Sequence, residues 1–207
     1  MITPRAGHTA TEISSNQFLV FGGSGGDRFY NDVHIFNVET NLWSFVDVQN
    51  PAQAPAGRHQ HTANLIGEEL YIIGGRSEKE TFSDVWILDI ATGEWSRVEA
   101  SGVGPGHRFG HATIVINDRL ILVYGGVDLE GKIRADINAF DAETHTWIKY
   151  ESNSTEIRQT FQRAGHSLNL VDYGIYAYGG NAMFTLHELL PRKSNEWKTF
   201  CGTEGVV

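Results

Sequence analysis

The stretch Leu70-Tyr71-Ile72-Ile73-Gly74-Gly75 decides how this sequence folds, because altered copies of it recur along the chain. The copies are Phe18-Leu19-Val20-Phe21-Gly22-Gly23, Ile121-Leu122-Val123-Tyr124-Gly125-Gly126 and Ile175-Tyr176-Ala177-Tyr178-Gly179-Gly180. A short apolar run rich in β-branched and aromatic residues, ended by two glycines, reads as a buried strand that stops abruptly. Upstream of each copy stands an Arg-x-x-His tetrad: Arg5 to His8, Arg58 to His61, Arg108 to His111, and Arg163 to His166. Downstream comes a tryptophan, at Trp43, Trp95, Trp147 and Trp197. Whichever landmark is measured, the copies lie 50 to 55 residues apart. Three independent landmarks holding one period establish an internal repeat.

Each copy reads as four short strands. A first strand such as Ala112-Thr113-Ile114-Val115-Ile116 is joined to the diglycine strand by a turn carrying Asn and Asp, as in Asn117-Asp118-Arg119. After the diglycine comes a variable loop, then a third strand opened by an acid in Asp32-Val33, Asp84-Val85 and Asp136-Ile137. The turns Asn37-Val38-Glu39-Thr40-Asn41, Asp89-Ile90-Ala91-Thr92-Gly93 and Asp141-Ala142-Glu143-Thr144-His145 lead to the tryptophan strand. Asn or Asp opening such a turn predicts a tight hairpin with a left-handed residue near its end. The acid-to-tryptophan spacing is 11 in all three copies, as two strands locked by one turn type require. No segment sustains a 3.6-residue apolar period, so the fold class is all-β. The fourth copy departs from the others. It runs 17 residues from Gly180 to Trp197 against 20 or 21 elsewhere, its third strand near Leu186-His187-Glu188-Leu189-Leu190 lacks the acid, and Pro191 stands at the turn. It is expected to be the least regular unit.

A chain of 207 residues buries enough apolar surface to fold without a staple. The formal net charge of −9, with no cluster of Lys and Arg, argues against a nucleic-acid or anionic-membrane partner. The single cysteine, Cys201, rules out an internal disulfide and points to a reducing compartment, cytoplasmic or nuclear. The opening residues hold no apolar core of signal-peptide length, and no run of 18 apolar residues is present.

Four-stranded units of about this length, marked by a diglycine and a later tryptophan, resemble the kelch repeat. The resemblance extends from Arg5 to about Phe200. It implies a kelch-type β-propeller of four four-stranded antiparallel blades, at about residues 5–50, 58–101, 108–153 and 163–201 within one region spanning 1–207. In such a blade the second glycine of each pair, at Gly23, Gly75, Gly126 and Gly180, is expected to leave the strand at positive φ. The tryptophans are expected to cover one blade's apolar face against its neighbour. Kelch propellers usually have more than four blades. The count leaves open a piece of a longer propeller, a compact four-bladed ring, or completion by another chain.

The resemblance implies a non-catalytic interaction scaffold or adaptor that binds a protein or peptide, with no cofactor, no metal and no catalytic residue. The alternative is a kelch-fold enzyme of lyase, isomerase or oxidase type at the channel mouth. Galactose-oxidase-like chemistry needs a cysteine crosslinked to tyrosine, and Cys201 lies at the far end of the chain. The iron pattern Glu-x3-Asp-x3-His of nitrile-specifier proteins stops at Glu80 and Asp84, because Leu88 occupies the third position. The histidines His8, His61, His111 and His166, the arginines Arg5, Arg58, Arg108 and Arg163, and the acids Asp32, Asp84 and Asp136 recur once per unit. That recurrence favours structural pairing over a metal site or an arginine-lined channel for an acidic peptide.

If the four strands alternate in direction, the loops after each diglycine and the connectors between units emerge on one edge. Loops on a rigid scaffold are where recognition concentrates. The candidate partner-binding residues are Arg28, Phe29 and Tyr30 in the first unit, and Arg76, Glu78, Lys79 and Phe82 in the second. The third offers Asp128, Lys132 and Arg134; Phe161 and Phe184 follow. Aromatic residues and Arg are enriched in interface hot spots.

Overall fold

The computed structural model describes residues 2–149, 162–171, 174–181 and 187–190. Two compact units divide the chain: Met1–Ser101 with Gly106–Phe109, and Gly102–Pro105 with Gly110–Val207. The first unit holds two four-stranded antiparallel sheets whose strands follow one another in chain order. Sheet one contains β1 (Thr9–Ser14), β2 (Gln17–Phe21), β3 (Val33–Asn37) and β4 (Leu42–Phe45). Sheet two contains β5 (Thr62–Ile66), β6 (Glu69–Ile73), β7 (Val85–Asp89) and β8 (Glu94–Arg97). In the second unit, sheet three contains β9 (Ala112–Ile116), β10 (Leu120–Tyr124), β11 (Ile137–Asp141) and β12 (Thr146–Lys149). Sheet four, among the described residues, contains β13 (His166–Val171), β14 (Gly174–Gly179) and β15 (His187–Leu190). The expected third strand of the fourth copy is therefore present, and its pairing with β14 slips between Ile175 and Tyr176.

The diglycine strands β6 and β10 are among the most buried. Every residue of β10 is buried, and so is every residue of β6 except Glu69. A strand covered on both faces reads as a continuous apolar run, which is why these stretches carry the repeat signal. The hairpin turns match the expectation: Asn41, Gly93 and His145 lie at φ of 56°, 74° and 52°. Asn37 Oδ1 accepts the N–H of Glu39 and Thr40, and Asp89 and Asp141 accept equivalent N–H groups from Thr92 and Glu143.

The second glycine of each pair has positive φ as expected, and so does the first: 67° and 95° at Gly22 and Gly23, 68° and 91° at Gly125 and Gly126. The pair turns the chain out of its own sheet and aims the second N–H at the tetrad arginine that follows. Gly23 donates to the Arg58 carbonyl at 2.8 Å, Gly75 to that of Arg108 at 2.9 Å, and Gly126 to that of Arg163 at 2.7 Å. A Cβ on Gly22 would stand 2.7 Å from the Arg58 oxygen, and one on Gly125 would overlap the Arg163 oxygen. The first glycine is thus needed for close approach as well as for its φ.

Sheets one and two share a core of Leu19, Phe21, Val33, Leu70, Ile72, Leu88 and Trp95. Sheets three and four share one of Ile116, Leu120, Leu122, Tyr124, Ile137, Ile175 and Ala177. Trp95 lies 5.1 Å from Phe21 between ring centroids, so it covers its sheet against the preceding one as expected. Trp147 is also buried, whereas Trp43 is half-buried. Trp197 lies outside the described residues. The connector after β4 protects the outer edge of sheet two: the Asn50 side chain accepts the Trp95 N–H at 2.8 Å and donates to the Trp95 carbonyl at 2.7 Å. An outer strand paired in this way offers no free backbone edge there.

Candidate functional site

The repeated polar residues are consumed by the sheets themselves. The Arg58 side chain is fully buried and donates to both carboxylate oxygens of Asp84, at 2.6 and 3.0 Å. It also donates to the carbonyls of Gly74 and Ala56, and its guanidinium sits 4.1 Å over the Phe82 ring. Arg5 repeats the set with Asp32, the carbonyls of Gly22 and Thr3, and the Tyr30 ring, also at 4.1 Å. Arg163 is fully buried and donates to the Gly179 carbonyl. An arginine held by two carbonyls and a bidentate carboxylate has four of its five N–H donors already committed, which leaves little for a peptide in a channel.

Each acid is completed by a residue that sequence reasoning missed. Asp84 accepts the Trp86 indole N–H at 2.7 Å, Asp32 is bonded by His34 Nε2 at 2.8 Å, and Asp136 accepts the Asn138 amide at 2.9 Å. Three residue types share no letter but share an N–H two positions after the acid. That shared chemistry was the only signal available. Burial pushes the Asp84 carboxyl up, but the hydrogen bonds and charge of Arg58, the Trp86 N–H and the charge of Arg97 hold it below the usual carboxylate range. At Asp32 burial is likewise outweighed, there by Arg5 and His34.

Two of the tetrad histidines, His61 and His166, pack onto the sheet that precedes their own. His61 meets the Phe21 ring edge-on at 5.2 Å, and its Nε2 lies 3.0 Å from the Thr9 hydroxyl. His166 meets Tyr124 at 5.0 Å. Burial, and then the charge of Arg163, push His166 down to about 4, so the imidazole is neutral at physiological pH. Among the described residues no group of three or more His, Cys, Asp or Glu is placed to hold a metal ion.

Two residues expected on the loop surface are not there. Tyr30 is 8 % exposed and Phe82 9 %, because each ring is the floor beneath a tetrad arginine. They shape the loops and are not presented by them. Arg28, Glu78, Lys79 and Lys132 are exposed, while Phe29, Arg76, Asp128 and Arg134 are half-buried. Phe161 and Phe184 lie outside the described residues.

The loops themselves are built tightly. In the first, Ser24–Gly25 pairs with Arg28–Phe29 as a two-residue ribbon. In the second, the Ser77 hydroxyl accepts the N–H groups of Lys79 and Glu80, and the Ser77 N–H donates to the Glu80 carbonyl. In the third, Asp128 Oδ1 accepts the N–H groups of Glu130 and Lys132, and its other oxygen faces Arg134 at 3.4 Å. The backbone donors of Lys132 and Glu130, with the nearby Arg134 and Lys132 charges, hold the Asp128 carboxyl below its usual range. Asp128 is a loop builder, so Lys132 and Arg134 are the groups this loop offers.

In the first unit the loops meet the connectors through a stack that sequence reasoning also missed. The Phe29 ring meets His59 edge-on at 5.2 Å, Arg76 Nε donates to His59 Nε2 at 3.0 Å, and the Arg76 guanidinium lies 4.4 Å over Phe109. Since Nε2 accepts, the His59 proton sits on Nδ1, which faces the Ser24 hydroxyl at 3.3 Å. Burial and then the Arg76 charge lower the His59 pKa, keeping that acceptor available. His59 and Phe109 both follow a tetrad arginine, a position occupied by Ala6 and Ala164 in the other copies. That variability inside a repeated motif was the available signal.

A family model for the KLHDC2/KLHL20/DRC7 Kelch-repeats domain matches residues 1–180. The chain belongs to the kelch-repeat family. It is 29% identical over 190 residues to Kelch domain-containing protein 3 of Rattus norvegicus, covering 86% of this chain and 49% of that protein. It is 30% identical over 178 residues to Acyl-CoA-binding domain-containing protein 5 of Arabidopsis thaliana, covering 85% of this chain and 26% of the relative. It is 27% identical over 191 residues to the flagellar outer arm dynein alpha chain of Chlamydomonas reinhardtii, covering 86% of this chain and 4% of that protein. The kelch chain thus spans about half the length, or less, of these relatives. Its antiparallel sheets are those of a kelch β-propeller or part of one. Kelch repeats generally mediate protein–protein binding, and the family is typically non-enzymatic. No helix among the described residues is long and apolar enough to cross a membrane.

Proposed function

We propose that this chain is a non-catalytic interaction scaffold that engages a partner protein through the loops following its diglycines. The observation behind this reading is the division of labour between repeated and variable residues. The Arg, Asp, His and Gly residues that recur are bound up in the sheets and their junctions. The exposed charges Arg28, Glu78, Lys79 and Lys132 vary between copies and sit on loops stiffened by their own hydrogen bonds. Groups presented on ordered loops bind with less loss of conformational freedom than groups on slack ones. The partner is a protein or peptide in a reducing, cytoplasmic or nuclear setting, and the chain acts as an adaptor.

The charge-reversal pair Arg28→Glu and Lys79→Glu tests this. Both residues are exposed, so thermal stability is expected to change by no more than about 0.5 kcal/mol. Ligands selected from a displayed protein library on the native chain are expected to bind the double variant at least ~10-fold more weakly, since charges at an interface set specificity and association rate. A control reversal at Glu39, in a hairpin turn, should leave the same ligands bound. Equal loss for both variants, or none for either, would remove the loops as the binding surface.

A further inference from the structure

Three of the four tetrads place glycine third: Gly7, Gly110 and Gly165, at φ of 67°, 63° and 69°. The second tetrad, Arg58-His59-Gln60-His61, places Gln60 there at φ 53°. The backbone bonds alike with either residue. The Gln60 N–H donates to the Gly7 carbonyl at 2.8 Å, and the Gly165 N–H to the Gly110 carbonyl at 2.7 Å. The repeat therefore dictates the left-handed conformation, and glycine is the residue that adopts it without a clash.

A glutamine held in this region keeps a local strain that glycine at the same place would not carry. Nothing inside the described part of the chain offsets it. Gln60 is exposed, and among the described residues its side-chain amide has no hydrogen-bond partner. The side chain runs beside the bare backbone of Gly7: a Cβ there would stand 3.3 Å from Gln60 Cγ and 3.2 Å from His59 Cβ. Glycine in the first tetrad thus leaves room for glutamine in the second. His59, the preceding residue, is bonded by Arg76 of the second loop and reaches Ser24 and Phe29 of the first. Gln60 therefore stands beside the place where the loops of sheets one and two meet.

We infer that Gln60 is a recognition residue whose side-chain amide reads a main-chain peptide group in an extended segment of the bound partner. The inference rests on the proposed interaction role and adds to it a contact outside the loops that follow the diglycines. A primary amide presents donor and acceptor side by side in one plane, the complement of a peptide N–H and C=O. An extended segment is the form in which those groups are free, because helices and sheets use theirs internally. The backbone bond to Gly7 fixes the base of the side chain before the partner arrives, so less freedom is lost on binding.

The test uses the full chain and short random peptides selected on it from a displayed library. Gln60→Gly removes the side chain where the conformation suits glycine, and Gln60→Met keeps its length without its polar atoms. The thermal midpoint of Gln60→Gly is expected to stay within about 2 °C of the native value or to rise, since relief of strain offsets the freedom of glycine in the unfolded chain. Both variants should bind the selected peptides about 10-fold more weakly, through the lost hydrogen bonds. N-methylation at one backbone nitrogen of the tightest peptide should weaken binding to the native chain and cost nothing further in Gln60→Met.

A midpoint of Gln60→Gly lowered by more than about 2 °C would mean that the side chain serves the fold, and would overturn the inference. So would a library that yields no binder, peptides that bind Gln60→Met at native strength, or N-methyl effects equal in the two proteins. Peptides weakened by Arg28→Glu with Lys79→Glu but indifferent to Gln60→Met would sink this inference alone and leave the loops as the binding surface. Indifference to every one of these changes would remove both.

Discussion

Asp84→Ala is expected to destabilise the first unit by about 3–5 kcal/mol, the range for stripping a buried charge of its partner. Arg58 is fully buried, and Asp84 is the group that neutralises it through two hydrogen bonds. Removing the carboxylate leaves a guanidinium that burial keeps from water and that cannot lose its proton. The Trp86 N–H loses its acceptor in the same step. Asp32→Ala serves as the internal comparison. The Asp32 side chain is 37% exposed against 15% for Asp84, so water reaches the site and the loss should be smaller. Replacing both partners, Arg58→Met with Asp84→Leu, should be less harmful than Asp84→Ala alone, because no charge is then stranded. Urea unfolding followed by tryptophan fluorescence reads all three. A loss below about 1 kcal/mol for Asp84→Ala would mean the pair behaves as a surface ion pair and is not a structural anchor.

Trp95→Ala is expected to be comparably severe, about 3–5 kcal/mol, through the cavity left in the core shared by sheets one and two. Trp95 is 2 % exposed and packs on Phe21 beside Leu70 and Leu88. The equivalent change at Trp43 should cost much less, because that side chain is half-buried and its loss opens no closed cavity. The contrast between two residues identical in the repeat pattern separates packing from motif membership. Equal losses would imply that Trp43 is covered in solution.

These pairs also show what was legible in the sequence. The diglycines, the tetrads and the acid-to-tryptophan spacing were visible because each serves the same geometric purpose in every sheet. The register and turn types followed from them. The N–H donors Trp86, His34 and Asn138 were hidden because hydrogen bonding to an Asp oxygen constrains a donor atom and not a residue type. Tyr30 and Phe82 were read as surface aromatics because they follow a loop, yet the arginine they support lies one strand earlier in sequence and above them in space. The stack of Phe29, His59, Arg76 and Phe109 joins residues 80 positions apart in sequence, and no local pattern predicts such a meeting. Function was legible only at the level of the family, since exposed loop charges such as Lys79 and Lys132 obey no internal constraint that a repeat would preserve.

On the proposed function, a partner is held by the loops and not by the hairpin turns on the opposite edge. Site-specific photo-crosslinking in cells measures this directly, with the crosslinking residue at Lys79 in one protein and at Thr92 in another. Both positions are exposed, and neither side chain is part of a core. A discrete crosslinked band from position 79 with none from position 92 is the predicted result. A band from position 92 alone would contradict loop-mediated binding and move the binding surface to the turns.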